Sequence, residues 1–210
     1  MTVQVPRNPW IYHITHVSNL TAILTVGGLW SDAQIRAGNA SATNVGYAHI
    51  KARRMSRQVL CAARGVVGDY VPFYFCPRSV MLYVLHRGHE GYQGGQRDIV
   101  HLVSSVNAAI APGRPWFFTD RHADLGYAQQ FASLDRLDQV SWDVMSERRW
   151  GNDDDLKQRR QAEFLVHEFF PWSAVLGIGV HDEEVAVKVR AVVAQATPKS
   201  GVHTRRNWYY

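Results

Sequence analysis

The segment KQRRQAEFLV, residues 157–166, constrains the fold more than any other stretch, because it places one glutamate inside an apolar run. From Ala162 onward the chain alternates, so that Phe164 falls on one side and Glu163 on the other. A period of two in a run containing Phe and Val predicts a β-strand. Burying an ionised carboxylate is costly unless it is paired or has a chemical task. The segment therefore predicts a strand whose glutamate is either functional or part of a structural ion pair.

Composition and length favour one ordinary folded domain. The chain has 210 residues, of which 46% are hydrophobic and 20% charged, so residues 1–210 are predicted to form a single domain. Its two cysteines, Cys61 and Cys76, are too few for a disulfide framework and indicate a reducing, cytoplasmic setting. We expect no membrane association, because the sequence lacks both a signal-peptide pattern and an apolar run of about 20 residues.

The positive charge of the chain is clustered. The net charge is +5 and the pI about 9.4, so the surface is expected to attract polyanions. A single basic cluster is typical of a solvated helix face. Several clusters in a chain with seven Trp and nine Tyr favour a nucleic-acid partner, because aromatic rings among cations stack unpaired bases. The clustered residues are Lys51, Arg53, Arg54, Arg57, Arg148, Arg149, Lys157, Arg159 and Arg160.

Residue patterns predict a chain of strands and helices that do not alternate strictly, which favours an α+β fold. Residues 29–68 are expected to form a loop with short helical pieces. Helices are predicted over 19–28 with Ser18 as cap, 79–86, 123–134 and 138–147, and the spacing of the valines predicts one over 185–193. Strands are predicted over 9–16, 70–77, 98–106, 115–120, 162–167, 174–180 and 202–210.

Familiar catalytic motifs are absent: no nucleophile elbow, no phosphate-binding glycine loop, and no H-E-x-x-H zinc pattern. We therefore predict no metal. Four residues remain as candidates, namely His13, Arg54, His122 and Glu163. Each has a structural alternative: a hydrogen-bonded core histidine for His13, a helix-start residue for His122, one cation among several for Arg54, and an ion pair for Glu163.

Five segments, in the same order and spread over nearly the whole chain, carry a family resemblance: YHIT, DYVPFYFCPRSVMLY, FFTDRHA, RRQAEFLV and SGVHTRRNWYY. With them the chain resembles the DarT toxins, DNA ADP-ribosyltransferases related in fold to the poly-ADP-ribose polymerases. The resemblance implies a split, mainly antiparallel β core surrounded by helices. It also implies NAD as ADP-ribose donor, a base in single-stranded DNA (usually thymine) as acceptor, and a separate macrodomain antitoxin of the DarG type as partner.

The resemblance assigns roles to individual residues. Glu163 matches the catalytic glutamate and Arg54 the catalytic arginine. NAD binding is expected at His13, Thr15, Tyr74 and His122. DNA binding is expected in the basic stretches, at Lys51, Arg53, Arg57, Arg148, Arg149 and Arg159.

The chemistry of the reaction agrees with these residue types. Breaking the nicotinamide–ribose bond develops positive charge at the ribose C1′, which a carboxylate beside the ribose stabilises, as in glycoside hydrolysis. A rigid strand would hold Glu163 to the required tolerance. Arg54 stays protonated and so suits phosphate or an anionic base rather than proton removal. Two alternatives stay open: another acceptor, such as guanine, an RNA end or a protein side chain, and a nucleic-acid-binding or nuclease-like toxin without NAD chemistry.

Overall fold

The structure, a computed structural model, describes residues 4–39, 43–147, 150 and 153–210. Within these ranges the strands are β1 Trp10–His16, β2 Gly28–Trp30, β3 Tyr70–Tyr74, β4 Ile99–Ser105, β5 Trp116–Thr119, β6 Gln130–Phe131, β7 Glu163–His167, β8 Phe169–Pro171, β9 Gly177–Val180 and β10 Gly201–Thr204. The α-helices are α1 Leu20–Thr25, α2 Asp32–Gln34, α3 Ala48–Arg54, α4 Val80–Arg87, α5 Val106–Ile110, α6 Trp142–Ser146, α7 Asp154–Arg159 and α8 Glu183–Val193.

Eight strands form one mixed sheet in the order β10-β9-β4-β1-β3-β7-β5-β6. Strands β9 and β10 run parallel, and the other neighbours in this sheet run antiparallel. Strands β2 and β8 form a separate antiparallel pair. This largely antiparallel sheet with helices around it confirms the predicted α+β class.

The sheet is nearly split between β1 and β3. Whereas β1 pairs with β4 along its whole length, its register with β3 is limited to Tyr12 opposite Tyr74. The side chain of His13 spans the gap beyond, donating from Nδ1 to the carbonyl oxygen of Pro72 at 2.8 Å. Because the N–H and C=O of a strand residue point to the same side, Pro72 offers β1 no backbone donor there. The limited pairing of β1 with β3 agrees with the split core expected from the resemblance, and Pro72 lies at the point where the pairing stops.

Both faces of β7 are buried, which explains how a glutamate comes to lie in the interior. Phe164 and Val166 belong to the main core, while Leu165 packs in a second cluster with Val67 and Phe117. The predicted alternation is therefore confirmed. Glu163, on the same side as Leu165, is 1% exposed.

Other predicted elements are confirmed with small shifts, and some are wrong. Helix 79–86 corresponds to α4, where the Ser79 side chain accepts from Leu82 N at the helix start. Ser18 caps nothing, because it lies within a 3-10 turn that precedes α1. The predicted strand 202–210 ends at Thr204 and is followed by a 3-10 turn, Arg206–Trp208.

The helix predicted over 123–134 is wrong. Part of this segment is β6, which pairs with β5 so that Phe131 lies opposite Phe118 with ring centroids 5.2 Å apart. The side-chain oxygen of Gln130 accepts from Leu60 N at 2.9 Å. Contacts with other segments of the chain thus override the local helical preference.

Across the described ranges no helix is both long enough and apolar enough to span a membrane.

Candidate active site

A cavity of about 320 Å³ opens at the split between β1 and β3 and is bounded by α3 and the loops that precede it. It brings together residues that are far apart in the chain. Every residue predicted to be catalytic or to bind the cofactor lines this cavity, namely His13, Thr15, Arg54, Tyr74, His122 and Glu163. Lys51, which is predicted to bind DNA, lines it as well.

The centre of the cavity wall is an ion pair between Arg54 and Glu163. Nη1 of Arg54 donates to both carboxylate oxygens of Glu163, at 2.8 Å to Oε2 and 3.1 Å to Oε1. Arg54 is the last residue of α3 and is only 6% exposed, so the helix C-terminus favours its positive charge. The two alternatives for Glu163, ion pair and functional carboxylate, are therefore combined in one arrangement.

Both members of this pair are charged at neutral pH. Burial raises the pKa of Glu163, but the charge of Arg54 and the Ala123 N–H lower this pKa below its usual value. Burial likewise lowers the pKa of Arg54, and the carboxylate of Glu163 raises it above its usual value. The site therefore holds an anionic carboxylate away from bulk water, where its electrostatic effect on a nearby cation is strong.

A turn after β5 fixes the orientation of Glu163. The N–H of Ala123 donates to Glu163 Oε1 at 2.9 Å, and the N–H of Glu163 donates to Thr119 Oγ1 at 3.2 Å. Nε2 of His122 lies 3.8 Å from the same Oε1. Burial is the main cause that lowers the pKa of His122. Because Nδ1 accepts from the N–H of Asp124, the neutral ring carries its proton on Nε2.

His13 and Tyr74 supply two neutral polar groups to the cavity. Burial lowers the pKa of His13 despite its bond to Pro72, so the ring donates through Nδ1 and keeps Nε2 as an acceptor. Burial, followed by the charge of Glu163, raises the pKa of Tyr74 well above its usual value. The Tyr74 hydroxyl therefore stays protonated and can donate to a ligand.

Arg54 has a donor left over. Its Nη2 is buried and has no hydrogen-bond partner within the part of the chain that the structure describes. A buried guanidinium nitrogen without a partner is costly. A ligand in the cavity with a phosphate or carbonyl oxygen would supply that partner.

Sequence reasoning missed several lining residues. Asn19 donates to Thr15 Oγ1 at 3.0 Å and also accepts from the N–H of Thr43, so it ties β1 to the loop across the cavity. Asp32 lines the cavity and pairs with Lys51. In the sequence, Asn19 stands at the start of a predicted helix, and nothing near it indicates its partner Thr43, which lies 24 residues later. The lining also includes Trp30, Tyr47 and Gln161.

Most of the predicted DNA-binding cations have partners in the structure. Lys51 Nζ lies 2.7 Å from Asp32 Oδ1, and Arg53 Nε donates to Asp124 Oδ2 at 2.7 Å. Arg57 Nε donates to the Asp124 carbonyl oxygen at 3.1 Å.

The second basic stretch is also engaged. Arg159 pairs with Asp155 one turn earlier in α7. Arg160, 2% exposed, donates to the carbonyl oxygens of Arg78 and Val144. Arg148 and Arg149 lie outside the described residues.

Among the residues that are described, no group of three or more His, Cys, Asp or Glu is placed to hold a metal ion.

The chain is similar in sequence to known proteins over nearly its whole length. The sequence profile described as "ssDNA thymidine ADP-ribosyltransferase, DarT" matches residues 12–210. A DNA ADP-ribosyl transferase of Thermus sp. (strain 2.9) is 42% identical over 207 residues, 98% of each chain. A DNA ADP-ribosyl transferase–DNA ADP-ribosyl glycohydrolase fusion protein of Thermosipho africanus is 27% identical and aligns with 90% of this chain and 46% of its own.

Solved structures of similar proteins have the same fold as this chain. The structure of Thermus sp. 2.9 DarT in complex with ADP-ribosylated ssDNA superposes with a TM-score of 0.94 at 40% identity, covering both chains completely. The structure of the same protein in complex with NAD+ gives a TM-score of 0.87 at 38% identity, over 99% of this chain and 100% of the other. With a family profile matched over nearly its whole length and a relative 42% identical, the chain belongs to the DarT family of DNA ADP-ribosyltransferases.

Proposed function

We propose that this protein, acting as a single domain over residues 1–210, transfers ADP-ribose from NAD+ to a thymine in single-stranded DNA and releases nicotinamide. Family membership supports the reaction. The observation that carries the proposal is the anionic, 1% exposed carboxylate of Glu163, which lines the cavity while paired with Arg54.

The reaction exchanges one bond at the ribose C1′. The bond from C1′ to the nicotinamide nitrogen breaks, nicotinamide leaves as a neutral molecule with the bonding electrons, and a thymine ring nitrogen bonds to C1′. Positive charge develops on the ribose as the first bond loosens. Glu163 would accept a hydrogen bond from the ribose 2′-hydroxyl and stabilise this charge, because a fixed anion in a dry site needs no reorganisation.

Arg54 takes a complementary role. Its guanidinium stays protonated, and Nη1 already holds Glu163 in place. The unpartnered Nη2 would bind a phosphate oxygen of NAD+ or a thymine carbonyl on which negative charge develops. The thymine N–H proton must also leave, and we assign it to Glu163, the carboxylate next to the reacting ribose in this arrangement.

The neutral cavity residues are proposed to hold NAD+. Nε2 of His13 is left as an acceptor because Nδ1 donates to Pro72, and the protonated Tyr74 hydroxyl is a donor. Thr15 lies one side-chain interval along β1 from His13 and faces the same cavity. His122, with its proton on Nε2 beside Glu163, completes the set.

Single-stranded DNA is favoured over a duplex, because pairing hides the thymine nitrogen and extrusion costs energy. The predicted phosphate contacts remain Lys51, Arg53, Arg57, Arg148, Arg149 and Arg159. The ion pairs of Lys51, Arg53 and Arg159 mean that a phosphate would compete with a carboxylate for each of them.

A toxin that modifies DNA requires a partner that reverses the damage. We propose a separate macrodomain antitoxin of the DarG type, which hydrolyses the bond between ADP-ribose and the base. The Thermosipho africanus fusion protein, whose name joins a transferase to a glycohydrolase, supports this pairing. Since both NAD+ and DNA are available in the bacterial cytoplasm, we propose that the protein acts there.

Mass spectrometry of a short single-stranded oligonucleotide with one thymine, incubated with NAD+ and the protein, tests the proposal. We expect one ADP-ribosyl group on that thymine and an equal amount of nicotinamide. An oligonucleotide with the thymine replaced is the control. Modification of the control, of RNA or of protein would favour another acceptor, and DNA binding without nicotinamide release would favour a toxin without NAD chemistry.

A further inference from the structure

A second cavity, also of about 320 Å³, opens on the part of the sheet formed by β1, β4, β9 and β10. Tyr12 and Val103 form part of its floor, and two tryptophans, Trp10 and Trp208, stand beside them. Its remaining lining includes Leu176, His203 and Arg205. We propose that this groove binds an unpaired base, with its phosphate, of the same DNA strand whose thymine enters the active site.

The groove lies on the same face of the sheet as Glu163. Residues that are register partners in neighbouring strands project their side chains to one side. Glu163 is paired with Tyr74, Tyr74 with Tyr12, and Tyr12 with Val103. The active-site carboxylate and the floor of the groove are therefore members of one row that crosses the split.

The row also sets the distance between the two sites. Neighbouring strands lie about 4.8 Å apart, so three strand intervals place Val103 roughly 14 Å from Glu163. Bases stacked as in one strand of B-DNA rise about 3.4 Å each, and an unstacked chain reaches further per nucleotide. The Pro77 carbonyl oxygen accepts from His101 on this face of the sheet, so the strand must pass around the segment that follows β3. A strand with its thymine at Glu163 would thus need at least about two to four nucleotides to bring a base into the groove.

The aromatic walls suit a base. Trp208 packs so closely over Gly179 that a Cβ at this glycine would lie 2.3 Å from the ring, and it meets Tyr12 edge-on at 5.3 Å between ring centroids. Trp208 is therefore a fixed wall. Trp10, by contrast, is 54% exposed, and an exposed indole beside a cavity offers a stacking surface to any of the four bases.

The charge around the groove suits a phosphate. The guanidinium of Arg205 lies 5.8 Å from the Trp208 ring centroid, and Arg205 and Arg206 are both exposed. Neither of them forms an ion pair with an acidic side chain among the described residues, in contrast to Lys51, Arg53 and Arg159. Free cations next to aromatic rings are typical of surfaces that follow a single-stranded backbone.

Single-stranded DNA is thus the occupant that the groove's chemistry favours. Aromatic rings and arginines also occur at protein interfaces, but the row that the groove shares with Glu163 favours the strand whose thymine occupies the active site. The inference rests on the proposed function, since it assumes that the acceptor is a single strand held by the active site.

The test uses a ladder of oligonucleotides with one thymine and an abasic tail lengthened on either the 5′ or the 3′ side, with one normal base placed at successive positions. Affinity is measured by fluorescence anisotropy with the full-length protein and variants Trp10→Ala, Trp10→Phe and Arg205→Ala. Arg190→Ala is the control, because Arg190 is an exposed arginine on α8, the helix whose apolar side packs in the main core.

We expect the parent to bind more tightly once a base stands at one particular position, at least about two to four nucleotides from the thymine on one side. Trp10→Ala should lose this gain, about fivefold to a hundredfold in affinity for one stacked base, and Trp10→Phe should keep most of it. Arg205→Ala should weaken binding of the longer oligonucleotides only. Arg190→Ala should behave as the parent does.

Two results would overturn the inference: an affinity in the parent that does not depend on where the base stands, or a base-dependent gain that survives in Trp10→Ala. Neither of these results affects the proposed function, provided that the thymine is still modified. Failure of the parent to modify any oligonucleotide would instead remove the proposed function.

Discussion

Arg53 and Arg54 are adjacent arginines in the chain, yet the environments of their side chains differ completely. Arg54 is 6% exposed and holds the carboxylate of Glu163 inside the cavity. The side chain of Arg53 is 56% exposed and pairs with Asp124 outside it. The difference shows that a cluster of positive charges in a sequence does not reveal which charges are available to a ligand, because their partners come from distant segments of the fold.

The same comparison extends to the two basic regions of the surface. The cations expected to hold DNA near the active site are largely paired with carboxylates, whereas Arg205 and Arg206 near the C-terminus have no such partner among the described residues. Phosphate binding at an existing ion pair must displace a carboxylate, and at a free arginine it need not. The free pair is therefore the stronger candidate for phosphate contact.

The largest effect is expected from Glu163→Gln. This change keeps the size of the side chain and removes its charge, so ADP-ribose transfer should fall by about 10²- to 10³-fold, as when one electrostatic contact to a transition state is lost. The measurement is the amount of modified oligonucleotide formed per unit time at saturating NAD+ and DNA. A folded variant with activity within a few-fold of the parent would exclude Glu163 from the reaction.

Glu163→Ala is a less clean test for a structural reason. Removing the carboxylate leaves Arg54 buried and unpaired, and breaking a buried pair in this way costs about 3–5 kcal/mol of stability. We expect Glu163→Ala to lower the unfolding temperature as well as the activity. Thermal unfolding of the alanine and glutamine variants, compared with the parent, separates loss of fold from loss of chemistry.

A smaller effect is expected from Arg53→Ala. Arg53 and Arg57 hold Asp124, and the preceding residue, Ala123, donates to Glu163. Loosening this turn should lower kcat on the order of tenfold, less than the roughly 10²-fold cost of a 1 Å misplacement. The affinity for DNA should change little, and Arg53→Lys should restore most of kcat.

Whether Arg53→Ala changes kcat or the affinity for DNA decides between the two roles of Arg53. A residue that positions the turn acts on kcat, while a phosphate contact acts on affinity and on its salt dependence. If Arg53→Ala weakened DNA binding at unchanged kcat, the positioning role would be wrong and the phosphate contact expected from the sequence would be supported.

The pair should also make stability depend on pH. Burial raises the pKa of Glu163, but the charge of Arg54 and the Ala123 N–H outweigh it and hold this pKa below its usual value. A lowered carboxyl pKa contributes stability above the unfolded-state value of about 4.3 and loses this contribution as the pH falls through the folded-state value. The difference in free energy of unfolding between parent and Glu163→Gln should thus be largest near neutral pH and shrink below about pH 4, in urea titrations. A difference that grows in acid would contradict the assignment.

The smallest effect is expected in the salt dependence of DNA binding. Each phosphate contact on a single strand contributes about 0.7 to the slope of log affinity against log salt. Arg205→Ala should reduce the slope by about that amount, and Lys51→Ala and Arg159→Ala by less, because both cations already have carboxylate partners. Equal reductions in all three variants would show that the ion pairs do not limit phosphate contact.

Local patterns predict much of the fold, and they leave four candidate residues, His13, Arg54, His122 and Glu163, that the structure brings to one cavity. The alternation around Glu163 was enough to predict β7, because period and burial agree along a single strand. The helix expected over 123–134 is wrong, because Phe131 pairs with Phe118 in the neighbouring strand and Gln130 bonds to Leu60, 70 residues earlier, and neither contact is visible in the local pattern.

The partners of the charged residues could not have been predicted in the same way. Nothing near Arg54 in the sequence indicates that it will meet Glu163, which lies 109 residues later. The family resemblance implies a catalytic role for each of the two residues but does not predict that they form an ion pair, and composition indicates only a basic surface. Asn19 was missed for a similar reason, since its partner Thr43 belongs to a loop without a recognisable pattern.

The comparison of Arg54→Lys with Arg53→Lys tests the central claim most directly. Both variants keep the positive charge and lose the planar fork of the guanidinium. Modified oligonucleotide is measured at saturating DNA and NAD+, with Arg57→Lys alongside. We predict that Arg54→Lys loses most of the activity at nearly unchanged DNA affinity, and that Arg53→Lys and Arg57→Lys lose at most a modest part. Equal losses in all three variants, or full activity in Arg54→Lys, would contradict the claim that Arg54 acts through its fixed place beside Glu163.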